Sequence, residues 1–280
     1  MSTEPVFVQQ LPTMRELLDL EELDTDLYRG VSEWVSASQS RLYGGQVAAQ
    51  ALMAAGSTVA PDRHPHSMHG YFLRPGRRDR PVIYKVERDR DGASFSARRV
   101  CAIQGGKVIF DLTASFHVDE EGNEYRVPMP VDTPEPDVDV LERSPFEMRL
   151  AEVLNVPPGR IGIDNWHVCP TMWTRIREPL GDDRLVHACA LAFLSDIGSG
   201  FSHPDVTDLP AGGPSLDHAL WFQGRARADD WVLLKMWPLM AGNARGLYLG
   251  SMHQSDGTLL AMLTQESLLR PFQGRPGASG

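Results

Sequence analysis

The second half of this chain repeats the first at a nearly constant spacing, and no other feature restricts its fold as much. His69-Gly-Tyr-Phe-Leu73 resembles His218-Ala-Leu-Trp-Phe222, an offset of 218 − 69 = 149. Val82-Ile-Tyr-Lys85 resembles Val232-Leu-Leu-Lys235 at an offset of 150, and Gly106-Lys-Val-Ile-Phe-Asp-Leu-Thr113 resembles Gly257-Thr-Leu-Leu-Ala-Met-Leu-Thr264 at 151. Each match is weak alone, but three in order at one spacing mark an internal duplication. In 280 residues that leaves two copies of ordinary domain size.

The first copy shows what one unit contains. Gly44-Gly-Gln-Val-Ala-Ala-Gln-Ala-Leu-Met-Ala-Ala-Gly56 is Ala-rich and predicts a helix that stops at Gly56. Pro81 to Glu87, Ser94 to Ile103 and Lys107 to Phe116 are rich in β-branched and aromatic residues, with Gln104-Gly105-Gly106 as a hairpin turn, and predict antiparallel strands. Upstream, Thr13 with Glu16 three residues later predicts a capped short helix, and Leu27 to Val35 a strand. The unit is therefore α+β, one long helix facing an antiparallel sheet. Residues 119–150 turn acidic and proline-rich and read as a linker between a first repeat over 1–118 and a second over 151–280.

The second copy departs from the first where the long helix should stand. Leu185-Val-His-Ala-Cys-Ala-Leu-Ala-Phe-Leu-Ser-Asp196 reads as a strand-like apolar run. Ile197-Gly-Ser-Gly-Phe-Ser-His-Pro204 after it leaves room for only a short or broken helix.

Bulk properties exclude several classes. A net charge of −10 argues against nucleic-acid binding, which needs a basic surface. The cysteines Cys101, Cys169 and Cys189 lack C-x-x-C spacing and read as buried small residues in a reducing compartment. No run approaches the roughly 18 apolar residues of a membrane span. The N-terminus lacks a secretory pattern, and the C-terminus, RPGASG, lacks a peroxisomal S-K-L address. These features predict a cytoplasmic protein without stable membrane insertion. No nucleophile elbow, P-loop or dinucleotide fingerprint occurs, which removes the usual serine-hydrolase and nucleotide-binding readings.

His64, His66 and His69 crowd into six residues and invite a metal reading. Alternation along a strand would send His66 and His69 to opposite faces, and His64 precedes a proline in the connecting loop, so the expectation is structural histidines and no metal. The duplication points elsewhere. Val108, Phe110, Leu112, Ala114 and Phe116 form an apolar stripe, and a shift of 151 gives Leu259, Ala261, Leu263, Gln265 and Ser267. Gln265 thus replaces Ala114 on an inward face, where an unpaired amide costs about 1–3 kcal/mol. Asp196 ends the apolar run and Ser215 opens the strand carrying His218; as an N-cap and a turn residue each also has a structural explanation. Together a carboxylate, a hydroxyl and an amide could hold one water molecule.

Gly44 to Leu52, His66-Ser-Met-His-Gly-Tyr-Phe-Leu-Arg-Pro-Gly76, Arg90 to Val100, Ser215-Leu-Asp-His-Ala-Leu-Trp-Phe222, Ala244-Arg-Gly and Thr264-Gln-Glu266 resemble the acyl-CoA thioesterase II family, in order, from about residue 10 to 272. The resemblance implies a double hotdog, two fused copies of a long helix wrapped by an antiparallel sheet. It also implies hydrolysis of fatty acyl-CoA to free acid and CoA with no metal and no cofactor, CoA being part of the substrate. A homodimer or homotetramer is expected.

The family's aspartate, hydroxyl and glutamine fall on Asp196, Ser215 and Gln265. Backbone N–H groups of the Gly44-Gly45-Gln46 turn would, by analogy, stabilise the oxyanion. Arg74, Arg77, Arg78, Arg98 and Arg99 are the cations available to CoA phosphates. Serine stands where many relatives have threonine, and the segment from Asp196 to Ser215 is short for the family. The alternatives are an acyl-CoA-binding protein without activity and a hydratase pairing Asp196 with His203.

Overall fold

The computed structural model describes residues 12–32, 41–131, 133–145, 148–157, 171–198 and 213–270. A short helix α1 (Met14–Leu18), capped by Thr13 and Glu16 as expected, leads into strands β1 (Glu21–Asp24) and β2 (Leu27–Gly30). Helix α2 (Gly44–Gly56) and strands β3 (Arg63–Phe72), β4 (Val82–Asp91), β5 (Phe95–Gln104) and β6 (Lys107–Val118) complete the first copy. The second runs β7 (Ala151–Asn155), β8 (Thr171–Ile176), α3 (Arg184–Leu194), β9 (Asp217–Phe222), β10 (Val232–Gly242), β11 (Arg245–Gln254) and β12 (Leu259–Leu268).

All twelve strands form one antiparallel sheet in the order β1-β2-β4-β5-β6-β3-β9-β12-β11-β10-β8-β7. Read from either end, the order is the same set of equivalent strands, so the copies are related by a pseudo-twofold axis at the β3–β9 seam. Register fixes the equivalence. Met68 pairs with Leu220 and Gly70 with His218, and these pairs exchange under an offset of 150, since 68 + 150 = 218 and 220 − 150 = 70. His218 is therefore the counterpart of Met68, not of His69. A slip of one residue moves a strand side chain to the opposite face. His69 lies on the outer face against Trp221, their rings 5.0 Å apart, whereas His218 points inward and is fully buried.

Helix α3 occupies the stretch for which the sequence predicted a strand. Asp183 caps it, accepting from the backbone N–H of Leu185 at 2.8 Å. Every residue from Val186 to Leu194 is buried, against α2 on one side and strands on others. A helix enclosed on all faces loses the amphipathic period that marks helices in sequence, and a continuous apolar run fits strand or helix equally. The long helix of the second copy is thus intact; of the segment Ile197 to Pro204, read as its broken successor, Ile197 and Gly198 form a turn and residues 199–204 lie outside the described residues.

The histidine cluster also differs in detail. His64 lies within β3, and the β3–β6 register shifts between Pro65 and Ser67. That bulge turns His66 toward Ser115, Phe95 and His117 on the outer face, the same face as His69. Among the described residues no three His, Cys, Asp or Glu side chains come together as a metal-binding group. Cys101 is half-buried on β5 and bonded to Asp111, Cys189 is buried in α3, and Cys169 lies outside the described residues.

One device recurs in both copies without having shown in the sequence. After β3, Arg77 and Asp79 pair through two bonds. The buried Gln104 side chain on β5 clasps this turn, accepting from Arg77 N at 2.8 Å and donating to the carbonyls of Arg77 and Arg80. At an offset of 150, Arg227 pairs with Asp229, and Gln254 accepts from Arg227 N at 3.1 Å and donates to the carbonyls of Arg227 and Trp231. The described residues of 119–150 contain no helix. They lie over the second copy, where Leu141 joins Leu154, Trp173, Trp231 and Leu233 in a small second core and Trp173 Nε1 donates to the Pro134 carbonyl at 2.9 Å.

Because each clasp satisfies backbone groups that are otherwise buried, Gln104→Ala and Gln254→Ala are each expected to lose about 1–3 kcal/mol. Urea unfolding checks this, and equal losses in the two variants would reflect the equivalence of the two copies.

Candidate active site

The structure brings Asp196, Ser215 and Gln265 together from three elements. Asp196 does not end a strand; it follows Ser195, the C-cap of α3. Ser215 stands two residues before β9 and bridges to Ser267. Gln265 lies in β12 on the inward face and is fully buried. Its Nε2 donates to Asp196 Oδ1 at 3.1 Å and also to Ser215 Oγ. The three polar groups singled out by comparing the copies therefore form one hydrogen-bonded set.

Helix α2 completes it. Gly45 N donates to Asp196 Oδ2 at 2.8 Å, so both carboxylate oxygens have a donor, one of them at a helix start, where an anion is favoured. This N–H was expected to serve an oxyanion and is committed to Asp196 instead. The approach requires glycine at both positions: a Cβ on Gly44 would lie 2.7 Å from Asp196 Oδ2, and one on Gly45 would lie 2.6 Å from the Phe193 carbonyl. Tyr43 locks the same contact, its hydroxyl donating to Phe193 O at 2.7 Å.

A residue absent from the sequence-based set orients the glutamine. The hydroxyl of Tyr248, buried on β11, donates to Gln265 Oε1. With that oxygen engaged, the amide nitrogen must face Asp196 and Ser215. Tyr248 stands opposite Gln265 in the register, as Arg98 stands opposite Ala114. The asymmetry at that pair, tyrosine for arginine, was the available signal.

A cavity of about 450 Å³ opens on the set. Asp196 and Ser215 line it on one side, Leu42, Val47, Phe72, Ile109 and Phe110 give it an apolar surface, and Arg41 and Arg74 also line it. Catalytic candidates from one copy thus face a pocket built largely by the other.

The equivalent location across the pseudo-twofold axis is filled at its inner end, next to an outer cleft of about 500 Å³ lined by His64, Asp182, Arg184 and Arg225 among others. There the residue after the C-cap serine of α2 is Thr58, which accepts from Arg98 Nε at 2.8 Å. Arg98 is buried and also bonded to Asp91, so it is not available to a ligand. The matching pocket, lined by His64, Pro65, Phe222 and Leu260 among others, measures about 30 Å³. Of the other arginines considered, Arg77 is held by Asp79, Arg78 donates to the Arg41 carbonyl, and Arg99 pairs with Glu87.

Comparison with known proteins identifies the family and the fold. Residues 31–117 match the family described as "Acyl-CoA thioesterase N-terminal domain" and residues 126–269 that described as "Acyl-CoA thioesterase C-terminal domain". The chain is 36% identical to acyl-coenzyme A thioesterase 8 of Homo sapiens, covering 91% of this chain and 88% of the relative. It is 33% identical to acyl-CoA thioesterase 2 of Haemophilus influenzae, covering 93% and 98%. Among solved structures, acyl-CoA thioesterase II TesB2 from Mycobacterium marinum superposes with a TM-score of 0.78 at 36% identity over 94% of this chain and 99% of that one. A hot dog fold protein from Alicyclobacillus acidocaldarius, 20% identical, shares the fold with a TM-score of 0.73 over 92% of this chain and 97% of that one.

Tyr248→Phe leaves Gln265 Oε1 buried without its donor and is expected to cost about 1–3 kcal/mol in urea unfolding. An unchanged midpoint would mean that the amide finds another partner and is not fixed by Tyr248.

Proposed function

The chain belongs to the acyl-CoA thioesterase II family and hydrolyses acyl-CoA thioesters, and from that premise we propose that Asp196, Ser215 and Gln265 hold the attacking water. The observation that carries this reading is Gln265 Nε2 donating at once to Asp196 Oδ1 and Ser215 Oγ beside the cavity. With Gln265 supplying the proton to Ser215 Oγ, the hydroxyl proton of Ser215 is left to orient an incoming oxygen. Asp196 keeps lone pairs beyond those used by Gly45 and Gln265 and accepts a proton from the water.

The hydroxide oxygen then bonds to the thioester carbonyl carbon. The tetrahedral adduct collapses with cleavage of the carbon–sulfur bond. CoA leaves as thiolate and takes the proton from Asp196, so that water and acyl-CoA become carboxylic acid and CoA thiol. Side chains and N–H groups already held in place need no reorganisation during this step. The apolar cavity surface matches the alkyl groups on either side of a thioester, and Arg41 and Arg74 are the cations placed to meet CoA phosphates.

The substrate class we propose is fatty acyl-CoA. Free thiols at Cys101 and Cys189 fit a reducing compartment, and the cytoplasm is the location we propose. No helix among the described residues is long and apolar enough to cross a membrane. Tyr71 and Trp221 are 61% and 39% exposed on the outer face at the β3–β9 seam. Covering that apolar surface in a homodimer or homotetramer is the assembly they favour. Light scattering at micromolar concentration checks it, with a monomer mass excluding both.

Thiol release from a panel of acyl-CoAs tests the site. Asp196→Asn and Gln265→Ala are expected to lower kcat by about 10²- to 10⁴-fold while unfolding cooperatively. Full turnover in both would overturn the assignment.

A further inference from the structure

Among the described residues, His218 is the one fully buried histidine beside the candidate set that the hydrolytic scheme leaves without a role. It lies on β9, faces Gly70 across the seam, and has no exposure to solvent. Its Nε2 stands 2.7 Å from Ser195 Oγ, and that hydroxyl donates onward to the Ala192 carbonyl at 3.0 Å. With the serine proton used there, Nε2 carries the imidazole hydrogen and Nδ1 is a bare lone pair. Nδ1 has no hydrogen-bond partner among the described residues.

Comparison of the two copies gives this contact its meaning. Both long helices end on a serine C-cap, Ser57 and Ser195. Ser57 is exposed and bonds only within its helix, to the Met53 carbonyl. Ser195 is fully buried and tied to His218. At the position of His218 the first copy has Met68, which can make no such bond. The tie therefore exists only in the copy where the residue after the serine is an aspartate rather than Thr58.

We propose that His218 is a positioning residue of the hydrolytic site, a buried neutral imidazole that holds the Ser195 turn and so aims the Asp196 carboxylate at the Gly45 N–H and the Gln265 amide. This rests on the reading of Asp196 as the residue that binds the attacking water. The charged and polar groups facing His218 are Ser195 and Asp196 from the α3 turn, Asp217 from its own strand and Gln265 from β12, with Gly70 opposite it on β3. Burial pushes the imidazole below its ordinary range, with Asp196, the Gln265 amide and Asp217 opposing that push.

At neutral pH His218 is thus uncharged. As pH falls through its depressed value, Nδ1 gains a proton and becomes a donor with a positive charge beside Asp196. That charge acts on Asp196 and on the Gln265 amide it faces, weakening the set that holds the water, and kcat falls on the acid side.

The test measures kcat and KM for acyl-CoA hydrolysis against pH in the full-length protein, its His218→Met and His218→Gln variants, and Ser195→Ala. His218→Met installs the residue of the inactive copy and is expected to lower kcat about 10²-fold, as a misaimed catalytic group does, with KM changed less than about threefold. Ser195→Ala should reproduce that split. His218→Gln keeps an N–H for Ser195 without a titrating group. It should recover most of the turnover and flatten the acid limb of kcat.

Wild-type kcat values and an unchanged acid limb in all three variants would overturn the proposal. So would a fall in kcat with the limb intact in His218→Gln. Should His218→Met fail to fold, Ser195→Ala and His218→Gln decide the matter alone. Absence of thiol release from the wild type would instead overturn the hydrolytic reading itself, which keeps the two failures apart.

Discussion

Helices α2 and α3 run side by side in opposite directions, and at one end a Cβ on Gly45 would stand 2.6 Å from the Phe193 carbonyl oxygen. At the other end, a Cβ on Gly56 would stand 2.4 Å from Leu185 Cδ1. So close a crossing is possible only where side chains are absent or small, and glycine or alanine supplies seven of the eleven buried residues of α2 and alanine three of the nine of α3. The consequence reaches the chemistry directly. Because α2 starts where α3 ends, the first N–H groups of one helix meet the residue that follows the other, and Asp196 receives a backbone donor from 151 positions away. Pocket and carboxylate then belong to different copies, so the site depends on the fusion of the two.

The fused sheet imposes symmetry on backbone and register but not on side chains, and the molecule uses that freedom in one direction only. The Arg77–Asp79–Gln104 and Arg227–Asp229–Gln254 clasps are alike in the two copies, each glutamine binding the N–H and carbonyl of its arginine and the equivalent carbonyl of Pro81 or Trp231, with a further bond to Arg80 in the first copy alone. At the helix crossing the copies diverge: Thr58, Met68, Arg98 and Ala114 on one side answer to Asp196, His218, Tyr248 and Gln265 on the other. Arg98 shows how the first copy became filled at that inner end. A guanidinium fills the space of the tyrosine, and its bonds to Thr58 and Asp91 satisfy it there.

Much of this was legible in the sequence because β-strand alternation is strict. The offset of 151 placed Gln265 inward at the position of Ala114 in an apolar stripe, and the buried amide is found there. Alternation also explains what failed. The echo of His69 in His218 was read one residue out of register, which hid the inward histidine behind an outward one. The strand predicted for Leu185 to Leu194 failed for another reason, since a helix packed on every side shows no period to read. The glutamine clasps were invisible, and the change from Arg98 to Tyr248 between the copies carried no meaning alone, because both depend on cross-strand pairing, which a single sequence does not display. The bulge at Pro65 likewise reversed the expected face of His66.

A core with this many polar groups is tolerable only when nearly all of them satisfy one another, His218 Nδ1 and Ser267 Oγ being the exceptions around this set. Gln265, Ser195 and His218 are fully buried, and Tyr248 is nearly so. Removing any partner leaves a desolvated donor or acceptor behind, which costs more than the bond contributed. The members are therefore coupled: Tyr248 fixes the glutamine amide, the amide fixes Asp196 and Ser215, and Gly45 holds the other carboxylate oxygen. Energies in such a set are not sums of pairwise parts. A drift that loosened one member would release the others, whereas the first copy, with methionine and alanine at two of the same places, couples only Arg98 with Thr58 and Asp91 there. Duplication resolves the conflict by separating the tasks, leaving one copy to supply an apolar wall and a rigid helix start and the other to carry the polar set.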